Sequence, residues 1–200
     1  MPENRLEGDA RREQIVAVAR QMFADGGYRT TTTRGLARAA GVSDALMYRY
    51  FESKEDVLRA VVDQGLAGFA AMGMAASAGR DLAIAERLAG VGRAFLEALA
   101  AQRDLIVLYV SEHQLLSDDA RLVTFIDLAA TGLGRELGER AAAGELRADL
   151  DGYLYARSFM GSLVAFGLLQ GALGMDRIHP VDPDSYLAEL VAVFVRGAQA

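Results

Sequence analysis

Residues 31–54, Thr-Thr-Thr-Arg-Gly-Leu-Ala-Arg-Ala-Ala-Gly-Val-Ser-Asp-Ala-Leu-Met-Tyr-Arg-Tyr-Phe-Glu-Ser-Lys, constrain this chain more than any other stretch. The threonine hydroxyls at 31–33 can cap the free amides of a helix whose apolar positions are Leu36, Ala37 and Ala40. Gly41 ends that helix, because glycine takes positive φ without a Cβ penalty and turns the chain within about three or four residues. Ser43 caps the next helix, in which Met47 and Phe51 are one turn apart and share a face suited to the core. The opposite face carries Asp44, Ala45, Tyr48 and Arg49, a mixture of charged, small and aromatic groups with little core value. Two short helices joined by such a turn make a helix-turn-helix, whose second helix is free to enter a DNA groove.

The run resembles the N-terminal DNA-binding domain of TetR-type transcriptional repressors. That pattern reads approximately Thr-Thr, an apolar-Ala pair, Ala-Gly-Val-Ser, Leu-Tyr-x-Tyr-Phe and x-Ser-Lys-Glu. Here Thr31-Thr32, Leu36-Ala37, Ala40-Gly41-Val42-Ser43, Met47-Tyr48-Arg49-Tyr50-Phe51 and Ser53-Lys54-Glu55 stand in register with it. The resemblance implies that Thr32, Thr33 and Arg34 open the first helix of the pair at a base or phosphate contact. An arginine there can hold guanine O6 and N7 in two bonds. Tyr48 and Tyr50 match positions that touch backbone or groove. Lys54 starts the fourth helix, where its ammonium and the free amides can hold a phosphate. Asp44 departs from the pattern, since many relatives carry lysine or another polar group there. Its carboxylate either accepts from cytosine N4 or favours the positive end of its own helix. Ala45 and Leu46 can meet a thymine methyl, and Leu46 suits the edge of the core equally well. Ser43 and Arg49 complete the expected DNA-facing set.

Two hundred residues with 52% apolar content are ample for a core in one or two domains. The net charge of −6 is unevenly placed. Residues 1–60 hold ten Lys and Arg against nine Asp and Glu, about +1, which leaves −7 for the remainder. A near-neutral head on an acidic body discourages non-specific DNA binding and leaves specificity to a few placed contacts. The absence of cysteine excludes disulfides and thiolate metal sites. The polar N-terminus lacks the apolar core of a secretory signal, so a cytoplasmic protein is expected. One lysine stands against twenty arginines, a ratio that reads as genome composition rather than function.

Along the chain, Ile15, Val18, Ala19, Met22 and Phe23 form a single stripe at helical spacing over 9–27, ended by Gly26-Gly27. Ser53-Lys54-Glu55-Asp56 reads as a capping box that opens a fourth helix reaching about Gly73. Met74 to Gly79 is a loop candidate. Further helices are expected over 81–101, 103–116, 119–143, about 151–173 and 184–197. Proline is absent between Pro2 and Pro180, and no stretch alternates with period two. The expected fold is therefore all-α. Taken with the resemblance, it comprises a three-helix helix-turn-helix DNA-binding head, residues 1–55, and a six-helix effector-binding and dimerisation domain, residues 56–200.

Residues 158–175 carry no charge, which is long enough to raise a membrane span. Gln170, two serines and four glycines argue against one, while Gly167 and Gly171, one turn apart, permit close approach of another helix. The resemblance implies that the last two long helices pair with those of a second subunit in a four-helix bundle. That reading places Leu163, Phe166, Gly167, Gln170, Gly171, Leu190 and Phe194 at a homodimer interface. It further implies a cavity among the middle helices that binds a small, often apolar effector and shifts the two heads relative to successive major grooves, about 34 Å apart. Candidate lining is Phe69, Met72, Phe95, Tyr109, His113, Phe125, Tyr155 and Phe159, although such residues equally suit ordinary core. Tyr109 and His113 fall one turn apart and can form a polar end to the cavity.

Catalytic patterns are missing. His113 and His179 are the only histidines, and adjacent Glu112 and His113 point about 100° apart on a helix, so they cannot share a metal. No enzyme, cofactor or metal is expected. The sequence reads as a ligand-responsive repressor of a pseudo-palindromic operator. Two other readings remain: a helical carrier of apolar molecules without DNA binding, and a regulator that works without a small-molecule effector.

Overall fold

The computed structural model describes the backbone of residues 3–75, 79–112 and 121–199. Every regular element among them is helical: α1 (Glu3–Gly26), α2 (Thr33–Ala39), α3 (Asp44–Tyr50), α4 (Lys54–Ala75), α5 (Ile84–Ala101), α6 (Arg103–Ser111), α7 (Arg121–Ala142), α8 (Gly152–Gly167) and α9 (Pro183–Ala198). A wide π turn, Leu168–Ala172, extends α8, and a 3-10 turn, Met175–Arg177, follows it. The helices fall where periodicity placed them, with shifted ends. α1 begins earlier than expected because the polar segment from Glu3 has no apolar stripe to announce it. α4 runs through Met74 into the expected loop, and residues 76–78 lie outside the described residues.

The chain divides into two compact units, residues 1–67 with 104–117, and residues 68–103 with 118–200. The boundary expected after residue 55 thus falls inside the first unit. Its core gathers Ile15, Ala19 and Phe23 of α1, Leu36 of α2, Met47 of α3, Val57 and Val61 of α4, and Leu105 and Leu108 of α6, all at most 1% exposed. Burying each of these side chains other than Ala19 favours folding by about 1.5–3 kcal/mol. Two ion pairs add to the packing within this unit: Arg20 to Asp104 and Arg29 to Glu112, each at 3.6 Å.

The second unit is built on α5, α7, α8 and α9, with Leu88, Leu137, Phe159 and Leu163 fully buried. α7 and α8 meet backbone to backbone. A Cβ added to Gly152 would lie 2.2 Å from the Gly134 carbonyl oxygen, and one added to Gly134 would lie 2.7 Å from Tyr153 Cα. Beside them, Arg87 and Glu136, both buried, form bonds of 2.9–3.1 Å through Nε and Nη2. Removing one partner of such a pair leaves an uncompensated buried charge. Asp151 and Asp182 cap α8 and α9 by accepting from the amides of Leu154 (3.0 Å) and Ser185 (2.8 Å). The same Ser185 amide, with its hydroxyl, holds the Asp182 carboxyl below its ordinary pKa. Among the described residues no helix is long and apolar enough to cross a membrane.

Candidate nucleic-acid interface

The helix-turn-helix is assembled by local chemistry. The Thr32 hydroxyl accepts from the Gly35 amide at 3.0 Å, and Ser43 Oγ accepts from the Leu46 amide at 3.1 Å, so each helix has its own cap. Between them Gly41 takes φ +65°, and the Val42 amide donates to the Ala37 carbonyl at 2.9 Å. No atom lies within 4 Å of a Cβ added at Gly41, so the backbone angle rather than crowding selects glycine. Met47 and Phe51, 1% and 4% exposed, anchor α3 inward. On the outer face Asp44, Ala45 and Arg49 are exposed, as is Tyr48 at 56%. Leu46 and Tyr50 are half-buried, which puts Leu46 at the core edge, and Thr32, Ser43 and Arg34 are exposed.

Two side-chain links join α2 to α3 on this surface. Arg34 Nε donates to Asp44 Oδ2 at 3.3 Å, and the Thr33 and Tyr48 hydroxyls lie 3.3 Å apart. Asp44 therefore faces a guanidinium on the neighbouring helix, a partner that neither sequence-based reading of this residue includes.

Lys54 has partners within its own chain that its expected phosphate-holding role does not include. Its ammonium donates to the carbonyls of Tyr28 (2.9 Å) and Thr31 (3.0 Å) and sits 4.1 Å from the centroid of the Tyr28 ring. Two of its three protons are thus turned inward to fasten the α1–α2 loop to the start of α4. The Tyr28 hydroxyl donates to Glu55 at 2.9 Å. Burial first, then the Glu55 bond and charge, push the Tyr28 pKa well above the usual tyrosine range. Glu55 is held below the ordinary carboxylate range by its own backbone N–H and by that hydroxyl. The capping box at Ser53 closes both ways: Ser53 Oγ accepts from the Asp56 amide and the Ser53 amide donates to Asp56 Oδ2, each at 3.1 Å.

The residues expected around an effector are only partly described. The side chains of Phe69, Met72 and His113 lie outside the described residues. Phe95 and Phe159 are buried in the second unit, whereas Phe125 and Tyr109 are half-buried. Tyr155 packs edge-on against Phe194 at 4.9 Å, and its buried hydroxyl has no hydrogen-bond partner among the described residues. An open groove of about 440 Å³ in the second unit is lined by Arg80, Asp81, Glu136, Glu139, Arg140, Ala143 and Glu145. With six of its seven lining residues charged, it does not suit an apolar molecule.

The expected dimer set divides. Leu163 is 0% exposed within a single chain and has no surface to offer a second copy. A Cβ on Gly167 would lie 2.7 Å from Leu99 Cδ1, so this glycine serves α5 of its own subunit. Phe166 stacks on Tyr186 at 4.2 Å, and Phe194 packs on Phe159 at 5.2 Å. Gln170 donates to the His179 carbonyl and accepts from the Val181 amide, both at 3.2 Å, holding the α8–α9 connection. The Gly171 carbonyl accepts from Arg103 at 2.9 Å, and Leu190 is half-buried. The outward face of α8 runs instead through Leu154, Ser158, Gly161 and Ala165, with Leu169 beyond. In a stretch without charges, apolar residues surround the helix and periodicity does not say which side is outside.

Two short capped helices joined at Gly41, with an exposed outer face on the second, have the geometry of a helix-turn-helix. Residues 15–61 match the family of "Bacterial regulatory proteins, tetR family", a match confined to the segment that holds the helix-turn-helix. The HTH-type transcriptional repressor KstR2 of Mycobacterium tuberculosis is 33% identical over 118 residues, which is 56% of each chain. The match thus spans little more than half the length of that relative. The solved structure of the ketosteroid transcriptional regulator KstR2 of Mycobacterium tuberculosis superposes with a TM-score of 0.68 at 25% identity, over 95% of both chains. The TetR family transcriptional regulator PfmR of Thermus thermophilus gives 0.72 at 23% identity, over 93% of this chain and 99% of that one, a likeness of fold.

Proposed function

We propose that this chain is a cytoplasmic, homodimeric repressor that binds a pseudo-palindromic operator through α3 and leaves it when a small apolar molecule binds. The observation that carries this is the outer face of α3. Tyr48 is 56% exposed, flanked by exposed Asp44, Ala45 and Arg49, on a seven-residue helix pinned from behind by Met47. An exposed aromatic ring on a rigid helix makes no contribution to the core and suits a groove or a sugar-phosphate edge.

Dimerisation rests on the exposed stripe of α8, whose small residues Ser158, Gly161 and Ala165 let a second helix approach closely. The effector reading rests on the aromatic residues of the second unit and on the relative described as a ketosteroid regulator. A ligand that binds better to the form with heads out of register lowers the population able to hold DNA.

Footprinting on the DNA flanking the protein's own gene tests the reading. The expected result is protection of two half-sites about one helical turn apart, roughly 34 Å, lost on Tyr48→Ala. Protection that survives this substitution would remove α3 from the interface.

A further inference from the structure

The Arg34–Asp44 pair spans the helix-turn-helix on its exposed side, and stability does not account for it. The two side chains are 80% and 51% exposed, and an isolated ion pair in water contributes little to folding. A carboxylate on a DNA-facing surface also repels phosphate. It nevertheless occupies the first position of α3, where its Oδ2 meets Arg34 Nε at 3.3 Å. The atom used matters. Contact through Nε leaves Nη1 and Nη2 uncommitted to Asp44, and these are the two donors that grip guanine O6 and N7 end-on. An exposed arginine otherwise samples many rotamers and loses that freedom on binding.

We propose that Asp44 is a positioning residue for Arg34: it fixes the guanidinium across the α2–α3 turn, so that the pair reads one base pair as a unit, and its charge penalises binding where no guanine answers. This rests on the DNA-binding reading above. The pairing accounts for the carboxylate without assigning it a base of its own, and it ties specificity to two residues ten apart in the chain. The nearby Thr33–Tyr48 hydroxyl contact holds the same two helices in register.

The test is binding of the full-length protein to a randomised duplex pool, with sequencing of the bound fraction, for wild type, Arg34→Ala, Asp44→Ala, Asp44→Asn and the double alanine variant. Wild type is expected to enrich a two-fold symmetric site. Arg34→Ala should flatten preference at one symmetry-related base pair, roughly tenfold or more. Asp44→Ala should flatten the same base pair, add nothing in the Arg34→Ala background, and bind unselected duplex as tightly as wild type or tighter. Asp44→Asn keeps an acceptor oxygen without the charge, and should retain part of the preference at that base pair while binding unselected duplex more tightly than wild type. Circular dichroism confirming the fold of each variant makes the comparison valid. A change at a different base pair, or losses that add in the double variant, overturns the pairing and makes Asp44 a reader in its own right. If wild type enriches no sequence, the DNA-binding reading itself fails and the pair falls with it.

Discussion

At the residue scale, Lys54 shows how position in a motif and role in a structure come apart. The resemblance places it on a phosphate, yet its ammonium holds the Tyr28 and Thr31 carbonyls, 26 and 23 residues earlier in the chain. Lys54→Ala is expected to leave those acceptors without their charged donor and to destabilise the head by about 1.5–3 kcal/mol. Thermal melting reads the loss directly. Where the variant remains folded, the slope of log affinity against log salt should equal that of wild type. A slope smaller by about one would return Lys54 to the phosphates. The caps at Thr32, Ser43 and Ser53 and the stop at Gly41 were legible because each acts within about four residues of itself. The Lys54 contacts were not, because nothing local signals an acceptor on another element. Asp44 is intermediate: its departure from the family pattern is visible in the sequence, but its partner across the turn is not.

At the scale of elements, helix placement followed from periodicity and punctuation, whereas helix-to-helix contact did not. The α7–α8 crossing depends on Gly134 and Gly152, which a reading of apolar stripes passes over because glycine adds nothing to a stripe. Gly152→Ala is expected to force these backbones apart and cost about 1–3 kcal/mol or more. Gly138→Ala, one turn along α7 from Gly134, has no atom within 4 Å of the new Cβ. It should instead stabilise the helix by about 0.5–1 kcal/mol. Opposite shifts in the melting midpoints of the two variants would bear this out, and equal shifts would place the close approach elsewhere. The capping box of α4 and the aspartate caps of α8 and α9 were foreseeable in kind, since Ser, Asp and Pro at helix starts carry their own geometry.

At the scale of the whole molecule, α8 has an exposed side, distinct from the subunit core, that the proposed homodimer can use. Gly167→Leu would collide with Leu99 inside one chain, so it is expected to lower stability rather than to separate the subunits. Ala165→Glu, on the exposed side of α8, should weaken association while the monomer stays folded. Sedimentation of both variants distinguishes the alternatives: a dimeric Ala165→Glu protein would move the contact to another face. The all-α class was readable from patterning, because it needs only the period of the apolar residues. The outward side of α8 was not, because its charge-free run offers no polar mark of direction. The inward commitment of Lys54 has one further consequence. It is the only lysine in the chain, so every other basic side chain on the proposed DNA-binding head is an arginine. Acyl donors that neutralise amines therefore have a single side-chain target in the whole chain, one that is half-buried and already donates to two carbonyls.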